Sequence, residues 1–186
     1  ENTMGIRPGA VLAADAVAPG VAVAARVAAR PAPQAAATDA LIRVLSGAAA
    51  GREVHLVEVV TTLKTSAAVA ERAEQFAGEV LGKQVVRSAD RSGFVVNALL
   101  VPYLLSAIRM VESGFATKED IDKATVLGLA HPMGPLALTD LVGLDTVKSI
   151  ADSMYEEFKE PLYSAPPLLL RMVEAGLVGK KAGRGF

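Results

Sequence analysis

The feature that most constrains this chain is a long apolar run within residues 92–114, which reads SGFVVNALLVPYLLSAIRMVESG. A serine–glycine turn opens the run. From residue 94 to residue 111, side-chain polar atoms belong only to Asn97, Tyr103, Ser106 and Arg109. A helix of this length that is apolar nearly all round is typical of a protein core rather than of a surface. We therefore predict a buried central helix.

A membrane span is the alternative for this run, because it approaches the length of about 20 residues that crosses a bilayer. Asn97, Pro102 and Arg109 within the run, and charged segments on both sides of it, argue against a membrane span. A buried asparagine without a partner costs roughly 1–3 kcal/mol. Asn97 is therefore expected either to bond to backbone in the core or to point into a site, and its spacing alone favours the core.

The composition of the chain excludes several classes of function. The formal net charge is -1 with scattered signs and the aromatic content is 4%, so neither the basic surface nor the stacking platform of a nucleic-acid-binding protein is present. The absence of cysteine excludes disulfides, thiolate catalysis and thiolate zinc sites, and suits a cytoplasmic location. Because the chain begins at Glu1 and its first methionine is Met4, we expect a fragment or a processed product.

Residues 1–53 differ in composition from the rest of the chain, being rich in alanine, valine, proline, glycine and arginine. Four prolines interrupt every candidate helix, and no period of 2 or 3.6 residues persists. The interpretations are a flexible low-complexity segment, a transit peptide that is too poor in serine, or an out-of-frame translation of a GC-rich gene, and we favour the last. We predict no clean strands and assign no fold to this segment.

Ordered structure is predicted from Val54 onward. Residues 54–60 are typical of a buried strand, Ser66 can cap a helix that runs to about Leu81, and residues 83–87 indicate another strand. Strand, helix and strand in succession form a βαβ unit, which needs further parallel strands beside it. Glu58 interrupts the first strand, and a carboxylate among valines is costly unless it is paired. Composition leaves Glu58 evenly balanced between a solvent-exposed strand end and a functional group.

The pattern after the central helix is wholly helical. Further helices are predicted over residues 117–127, 136–142, 145–158 and 168–175. From Gly93 onward we therefore expect an all-α domain of about five helices. The tail, residues 179–186, is a glycine-rich basic loop that matches neither a dinucleotide fingerprint nor a P-loop. His131 stands in a proline-rich turn with no other ligand at metal spacing, so a structural or surface role is expected rather than a metal site.

Five segments resemble, in order and spacing, signatures of the 3-hydroxyacyl-CoA dehydrogenases, and the bacterial 3-hydroxybutyryl-CoA type is the nearest branch. They are LVEVV at 56–60, DRSGFVVN at 90–97, HPMGP at 131–135, DLVGLD at 140–145 and GKKAGRGF at 179–186. Any one of these segments alone would be weak evidence, whereas all of them in order make the resemblance specific.

The resemblance implies an enzyme with a Rossmann domain that binds NAD or NADP and a helical domain of the 6-phosphogluconate dehydrogenase C-terminal type. It divides this chain into unassigned residues 1–53, the last βαβ remnant of the Rossmann domain at residues 54–92, and the helical domain at residues 93–186. The implied reaction interconverts short-chain (3S)-3-hydroxyacyl-CoA and 3-oxoacyl-CoA. The implied assembly is a cytoplasmic homodimer joined through residues 93–186, with no nucleic acid, membrane or metal involved.

The resemblance also implies roles for single residues. Glu58 matches the glutamate that orients the family's catalytic histidine, and Asn97 matches the asparagine that hydrogen-bonds the substrate. The histidine itself belongs about a dozen positions before Glu58, where this chain has LSGA at residues 45–48. His55 would face the opposite side of the strand from Glu58. The glycine fingerprint is missing as well, so no cofactor-binding residue is assigned in this chain.

These departures lead us to expect that the chain as written is inactive on its own. The alternatives to an enzyme of this family are a non-catalytic module that keeps the family's dimerisation surface and another β-hydroxyacid dehydrogenase with a similar helical domain. The five segments argue against the latter.

Overall fold

The computed structural model describes the backbone of residues 22–27, 40–49 and 52–186, and the side chains from Leu56 onward. The chain divides into two compact units, with the boundary between Phe94 and Val95. Within the described residues, no helix is both long enough and apolar enough to cross a membrane. The finer domain division at residue 53 stays a prediction.

The described part of the N-terminal unit is built on a four-stranded sheet with the strand order β1-β2-β3-β4. The strands are β1 at Ala22–Val27, β2 at Ala40–Ala49, β3 at Arg52–Thr61 and β4 at Gln84–Ala89. Strand β2 pairs antiparallel with both β1 and β3. Strands β3 and β4 are parallel, with Glu58 opposite Val86.

Strands β1 and β2 show that the prediction of no clean strands in residues 1–53 was wrong. All four prolines of that segment lie outside both strands, so the stretches between them are free to extend. Strand β2 pairs along its length with β3, from Leu41 opposite Val60 to Ala49 opposite Arg52. A ladder satisfies backbone N–H and C=O groups whatever the side chains are, so an alanine-rich segment can pair with a β-branched strand without a periodic pattern of its own.

The predicted βαβ unit is confirmed by the helix that joins β3 to β4. Helix α1 spans Ala67–Gln75 and continues as a π-helical turn at Phe76–Val80. The hydroxyl of Ser66 caps α1 by accepting the N–H of Val69 at 3.4 Å, as the sequence predicted. The small core between the sheet and α1 consists of Val57, Val59, Ala73, Ala77 and Val85.

The C-terminal unit is all-α, which confirms the predicted fold class. Its helices are α2 at Val96–Glu112, α3 at Lys118–Gly128, α4 at Pro135–Val142, α5 at Leu144–Phe158 and α6 at Pro167–Glu174. Each helix begins and ends within one or two residues of its predicted bounds. Helix α2 is the predicted central helix and packs against α4, α5 and α6.

Candidate functional site

Glu58 lies in the middle of β3 with its side chain fully buried, 0% exposed. Val57 and Val59, on either side of it, pack in the cluster that α1 covers. Because successive side chains of a strand point to opposite faces, Glu58 points to the face away from α1. Burying a carboxylate is costly unless polar groups compensate for its lost hydration. The structure therefore excludes one of the two interpretations of Glu58 that composition had left open, a solvent-exposed residue at the end of a strand.

Asn97 lies in the first turn of α2 and is 3% exposed. The chain enters this helix through a sharp turn in which Gly93 and Phe94 have φ angles of 88° and 47°. A bulky residue in the left-handed region is rare, so this entry is conformationally demanding. Helical spacing then places Asn97 on the same face as Val101 and Leu104, which are both buried in the core.

The HPMGP segment forms the turn between α3 and α4, and side chains of α2 and α3 bond to this turn and to the first residues of α4. The Oη atom of Tyr103 lies 2.9 Å from Nδ1 of His131, and the two rings meet edge to face with centroids 5.2 Å apart. The carboxylate of Asp122 accepts the backbone N–H groups of Leu136 at 2.8 Å and Ala137 at 3.0 Å. The side chain of Asp122 therefore caps α4 from a neighbouring helix.

Two of the five recognised segments, DLVGLD and GKKAGRGF, contact each other. The backbone N–H of Phe186 donates to Oδ1 of Asp140 at 3.0 Å, and Nζ of Lys181 lies 2.6 Å from Oδ2 of Asp145. Burial raises the pKa of Asp140 above its ordinary value, and the hydrogen bond from Phe186 opposes this shift. The predicted basic loop is therefore a folded part of the C-terminal unit.

The two predicted site residues belong to different units, Glu58 to the N-terminal one and Asn97 to the C-terminal one. Neither histidine of the chain lies at residues 45–48, where the family's catalytic histidine is predicted. His55 lies in β3, three residues before Glu58. His131 is bonded to Tyr103 in the C-terminal unit. The place of the family's histidine motif, residues 45–48, falls within strand β2.

The loop after β3 lacks the glycine-rich turn that would hold the pyrophosphate of a dinucleotide. In parallel α/β sheets the cofactor binds at the carboxyl ends of strands, with its pyrophosphate on a glycine-rich turn that opens a helix. The loop after β3, residues 62–66, contains no glycine and is closed by the N–H of Thr62 donating to Oγ1 of Thr65 at 2.9 Å. Among the residues that the structure describes, no group of His, Asp and Glu side chains could hold a metal ion either.

Comparison with known proteins decides the family. The family model of the 3-hydroxyacyl-CoA dehydrogenase C-terminal domain matches residues 93–186. The chain belongs to the 3-hydroxyacyl-CoA dehydrogenase family. It is 76% identical over 131 residues to a 3-hydroxybutyryl-CoA dehydrogenase of Mycobacterium tuberculosis, a match that covers 70% of this chain and 46% of the relative. It is 48% identical over 132 residues to the human mitochondrial hydroxyacyl-coenzyme A dehydrogenase, covering 70% of this chain and 42% of the relative.

Solved structures of family members have the same fold over the matched part. The crystal structure of FadB2 of M. tuberculosis matches with a TM-score of 0.70 and 75% identity, covering 71% of this chain and 46% of that one. The (S)-3-hydroxybutyryl-CoA dehydrogenase PaaH1 of Ralstonia eutropha matches with a TM-score of 0.69 and 39% identity, with the same 71% and 46% coverage. This chain spans about half the length of the curated relatives it matches, and the predicted resemblance to the family is confirmed.

The sequence did not reveal two positioning carboxylates, Asp122 and Asp140. Asp122 lies in the charged stretch KEDIDK, where nothing distinguishes it from its solvated neighbours. Asp140 lies in a recognised segment, but its hydrogen-bond partner Phe186 is 46 residues away along the chain. The sequence signal for the contact of Asp140 with the tail was the glycines of the tail, because glycine allows the backbone to approach another group closely.

Proposed function

We propose that this chain is part of an enzyme that interconverts short-chain (3S)-3-hydroxyacyl-CoA and 3-oxoacyl-CoA with NAD or NADP in the cytoplasm. The observation that carries the proposal is Glu58, a fully buried carboxylate in the LVEVV segment of a parallel strand. The relative from M. tuberculosis, by its name a 3-hydroxybutyryl-CoA dehydrogenase, supports the substrate class. In this proposal residues 54–92 are the last part of a Rossmann domain and residues 93–186 are the helical domain.

Glu58 acts in this proposal as a positioning residue for a histidine base. A buried carboxylate that accepts the N–H of an imidazole fixes its tautomer and stabilises its protonated form. The imidazole can then take the proton of the substrate 3-hydroxyl. Residues 45–48 read LSGA where the family has its histidine motif, so we expect the 186-residue chain alone to show no turnover.

Asn97 is proposed to hydrogen-bond an oxygen of the acyl-CoA substrate. Its carboxamide offers two donors and an acceptor, so it can hold a hydroxyl oxygen and a carbonyl oxygen equally well during interconversion. Its burial in the first turn of α2 restricts the side chain to few rotamers, which favours a fixed geometry towards the substrate.

We also propose a homodimer joined through residues 93–186. Large apolar side chains remain exposed on α2 and α3 and beside their ends, at Leu99, Phe115, Leu127 and Leu129. Exposed apolar side chains in such numbers on a small unit mark an interaction surface. Sedimentation at micromolar concentration should show a dimer that Leu127→Glu dissociates. The matched control Leu162→Glu, on the turn Pro161–Tyr163, should leave the dimer intact. A clean monomer would contradict the dimer.

The catalytic proposal is tested with a hybrid that joins the N-terminal half of the M. tuberculosis relative to this chain from Leu56 onward. We expect the hybrid to reduce acetoacetyl-CoA with NADH, whereas the 186-residue chain does not. Glu58→Gln in the hybrid should lower kcat by about 10²-fold, because an imidazole base loses its orientation and its charge stabilisation. Glu74→Gln, which removes only a surface ion pair with Arg87, is the matched control and should leave kcat unchanged. Turnover by the 186-residue chain, or full activity of the Glu58→Gln hybrid, would overturn the proposal.

The segment LSGA in β2 favours a second candidate, a non-catalytic module that retains the family's helical dimerisation domain. This candidate predicts the same dimer as the enzyme. The two candidates differ in the result they predict for the hybrid. If the chain is a non-catalytic module, the hybrid should form a dimer but stay inactive, even though the relative supplies the missing half. The hybrid assay therefore separates the two candidates.

A further inference from the structure

The tail of the C-terminal unit folds as a small closed element, which we name the tail clasp, residues 179–186. The N–H of Gly179 donates to the carbonyl of Arg184 at 2.7 Å, and the N–H of Arg184 donates back to the carbonyl of Gly179 at 3.3 Å. A 3-10 turn at Lys180–Ala182 closes the tip between these two bonds. The clasp thus has internal hydrogen bonds that do not depend on the rest of the unit.

The clasp contacts helix α4 at Asp140. Oδ1 of Asp140 accepts the N–H of Phe186 at 3.0 Å. A Cβ atom on Gly179 would overlap the backbone carbonyl of Asp140, and one on Gly185 would overlap its carboxylate. Glycine is therefore required at both positions, because only a residue without a side chain lets the clasp close so tightly around the aspartate.

A second contact lies beside the first, but it is weaker. Lys181 pairs with Asp145, and the side chains are 43% and 42% exposed. Exposed ion pairs of this kind contribute about 0–1 kcal/mol because solvent screens them. The carboxylate of Asp140 is more sheltered, and burial raises its pKa. Solvent therefore screens its hydrogen bond with Phe186 less than it screens the pair of Lys181 and Asp145.

We propose that the tail clasp opens and closes on α4 as one unit and that Asp140 is the positioning residue that holds it closed. Residues 180–184 are exposed, whereas Gly179 is buried and Phe186 packs against the helical core at the two ends of the clasp. The described polar attachments of the clasp to α4 and α5 are those to Asp140 and Asp145. Segments with few buried contacts open locally without global unfolding. Closure fixes the surface positions of three cations, Lys180, Lys181 and Arg184, which the open clasp would leave free to move.

These cations make the opening measurable by limited trypsin digestion, because trypsin cleaves after lysine and arginine in open chain. Mass spectrometry of the full 186-residue chain would follow cleavage inside the clasp, relative to cleavage after Lys64 in the N-terminal unit. Asp140→Leu removes the acceptor for Phe186 and should raise clasp cleavage roughly tenfold, the factor expected for one charge-assisted hydrogen bond. Asp140→Asn keeps an acceptor oxygen in the same place and should restore most of the protection. Asp145→Asn should have a much smaller effect.

Equal cleavage of the wild type and Asp140→Leu would overturn the proposal, and so would an Asp145→Asn effect larger than that of Asp140→Leu. If Asp140→Leu does not fold by circular dichroism, Gly185→Ala opens the clasp by overlap instead and should raise cleavage equally. Hydrogen exchange of the wild type needs no variant. The amides of Gly179, Arg184 and Phe186 should be protected and should exchange together, faster than those of α4. Exchange at the rate of a free peptide would show that no closed clasp exists.

Discussion

The two units of the molecule bury their apolar side chains in different ways. All five helices of the C-terminal unit contribute to one core. Its buried members are Val101, Leu104, Leu105, Ala107, Ile108, Ile121, Leu136, Leu144, Val147, Ala151, Met154, Leu169 and Met172. The described core of the N-terminal unit is a small cluster around Val57, Val59 and Ala77. A helical core can be assembled from local periodic patterns, whereas a sheet depends on which strands pair.

The two units also differ in where their polar side chains lie and what those side chains do. In the C-terminal unit, polar side chains hold helix ends. The half-buried Asp122 caps α4, and Oε1 of the exposed Glu112 accepts the N–H of Leu168 at the start of α6 at 2.7 Å. Thr139 is fully buried and donates to the carbonyl of Pro135 within its own helix. Glu58 lies inside a strand rather than at a helix end, and its side chain is fully buried. A fully buried carboxylate in an apolar strand is the better candidate for chemistry.

The largest effect on the free energy of unfolding should come from truncating a buried side chain in the helical core. Leu104→Ala removes a fully buried side chain of α2 and should lower the free energy of unfolding by about 3 kcal/mol. Val57→Ala, equally buried in the sheet, removes fewer methyl groups from a smaller cluster and should cost about half as much. Urea unfolding followed by circular dichroism measures both, with exposed Ser106→Ala on α2 as the control. A Val57→Ala cost equal to that of Leu104→Ala would show that the sheet has a more extensive core than its described cluster.

The sequence was sufficient for the helical unit because helix signals are local. The apolar stripe of α2, the Thr117 cap of α3 and the prolines at the starts of α4 and α6 all lie within a few residues of the bounds they predict. Strands β1 and β2 were missed because their stability comes from strand pairing, β2 with β3 and β1 with β2. The register that pairs Leu41 with Val60 depends on both strands together, so neither segment alone has a sequence pattern that predicts it.

The two residues of the candidate site were also predictable from local sequence. Glu58 is conspicuous because it is a charge inside an apolar strand, and Asn97 because it is polar within an apolar helix. The resemblance to the family then assigned their roles, which stay predictions. Asp122 and Asp140 were not recognisable, since their partners lie 14 and 46 residues away and only the folded chain brings them together.

A smaller effect should follow from disturbing the contact between α3 and the turn before α4. A Cβ atom on Gly134 would overlap the carboxylate of Asp122, so Gly134→Ala should cost about 2 kcal/mol in the free energy of unfolding. Gly128→Ala is the matched control, because its Cβ atom meets nothing within 4 Å at the end of α3. This control should be neutral or stabilise by about 0.5–1 kcal/mol. Equal costs for the two variants in urea unfolding would show that backbone freedom, rather than the capping contact, explains Gly134.

The smallest effect is the dependence of stability on pH that Asp140 brings to the C-terminal unit. Burial raises the pKa of Asp140, while the N–H of Phe186 and the charges of Lys118 and Lys180 oppose the shift. Since the folded-state pKa lies above the unfolded value, the folded state binds the proton more tightly. The resulting stabilisation is fully present below the unfolded pKa and is lost as the pH rises through the folded pKa.

Asp140→Asn cannot titrate, so the difference in unfolding free energy between wild type and variant isolates this contribution. The difference should move in favour of the wild type as the pH falls from about 7 towards about 4, near the ordinary aspartate pKa. Urea unfolding at several pH values measures it. Asp152→Asn, which removes a half-exposed carboxylate paired with Lys148, is the control for the loss of one surface charge. If the wild type instead lost stability relative to Asp140→Asn on acidification, hydrogen bonding from Phe186 would outweigh burial at this carboxylate. The closed clasp would then be stabilised by the charged form of Asp140 rather than the neutral one.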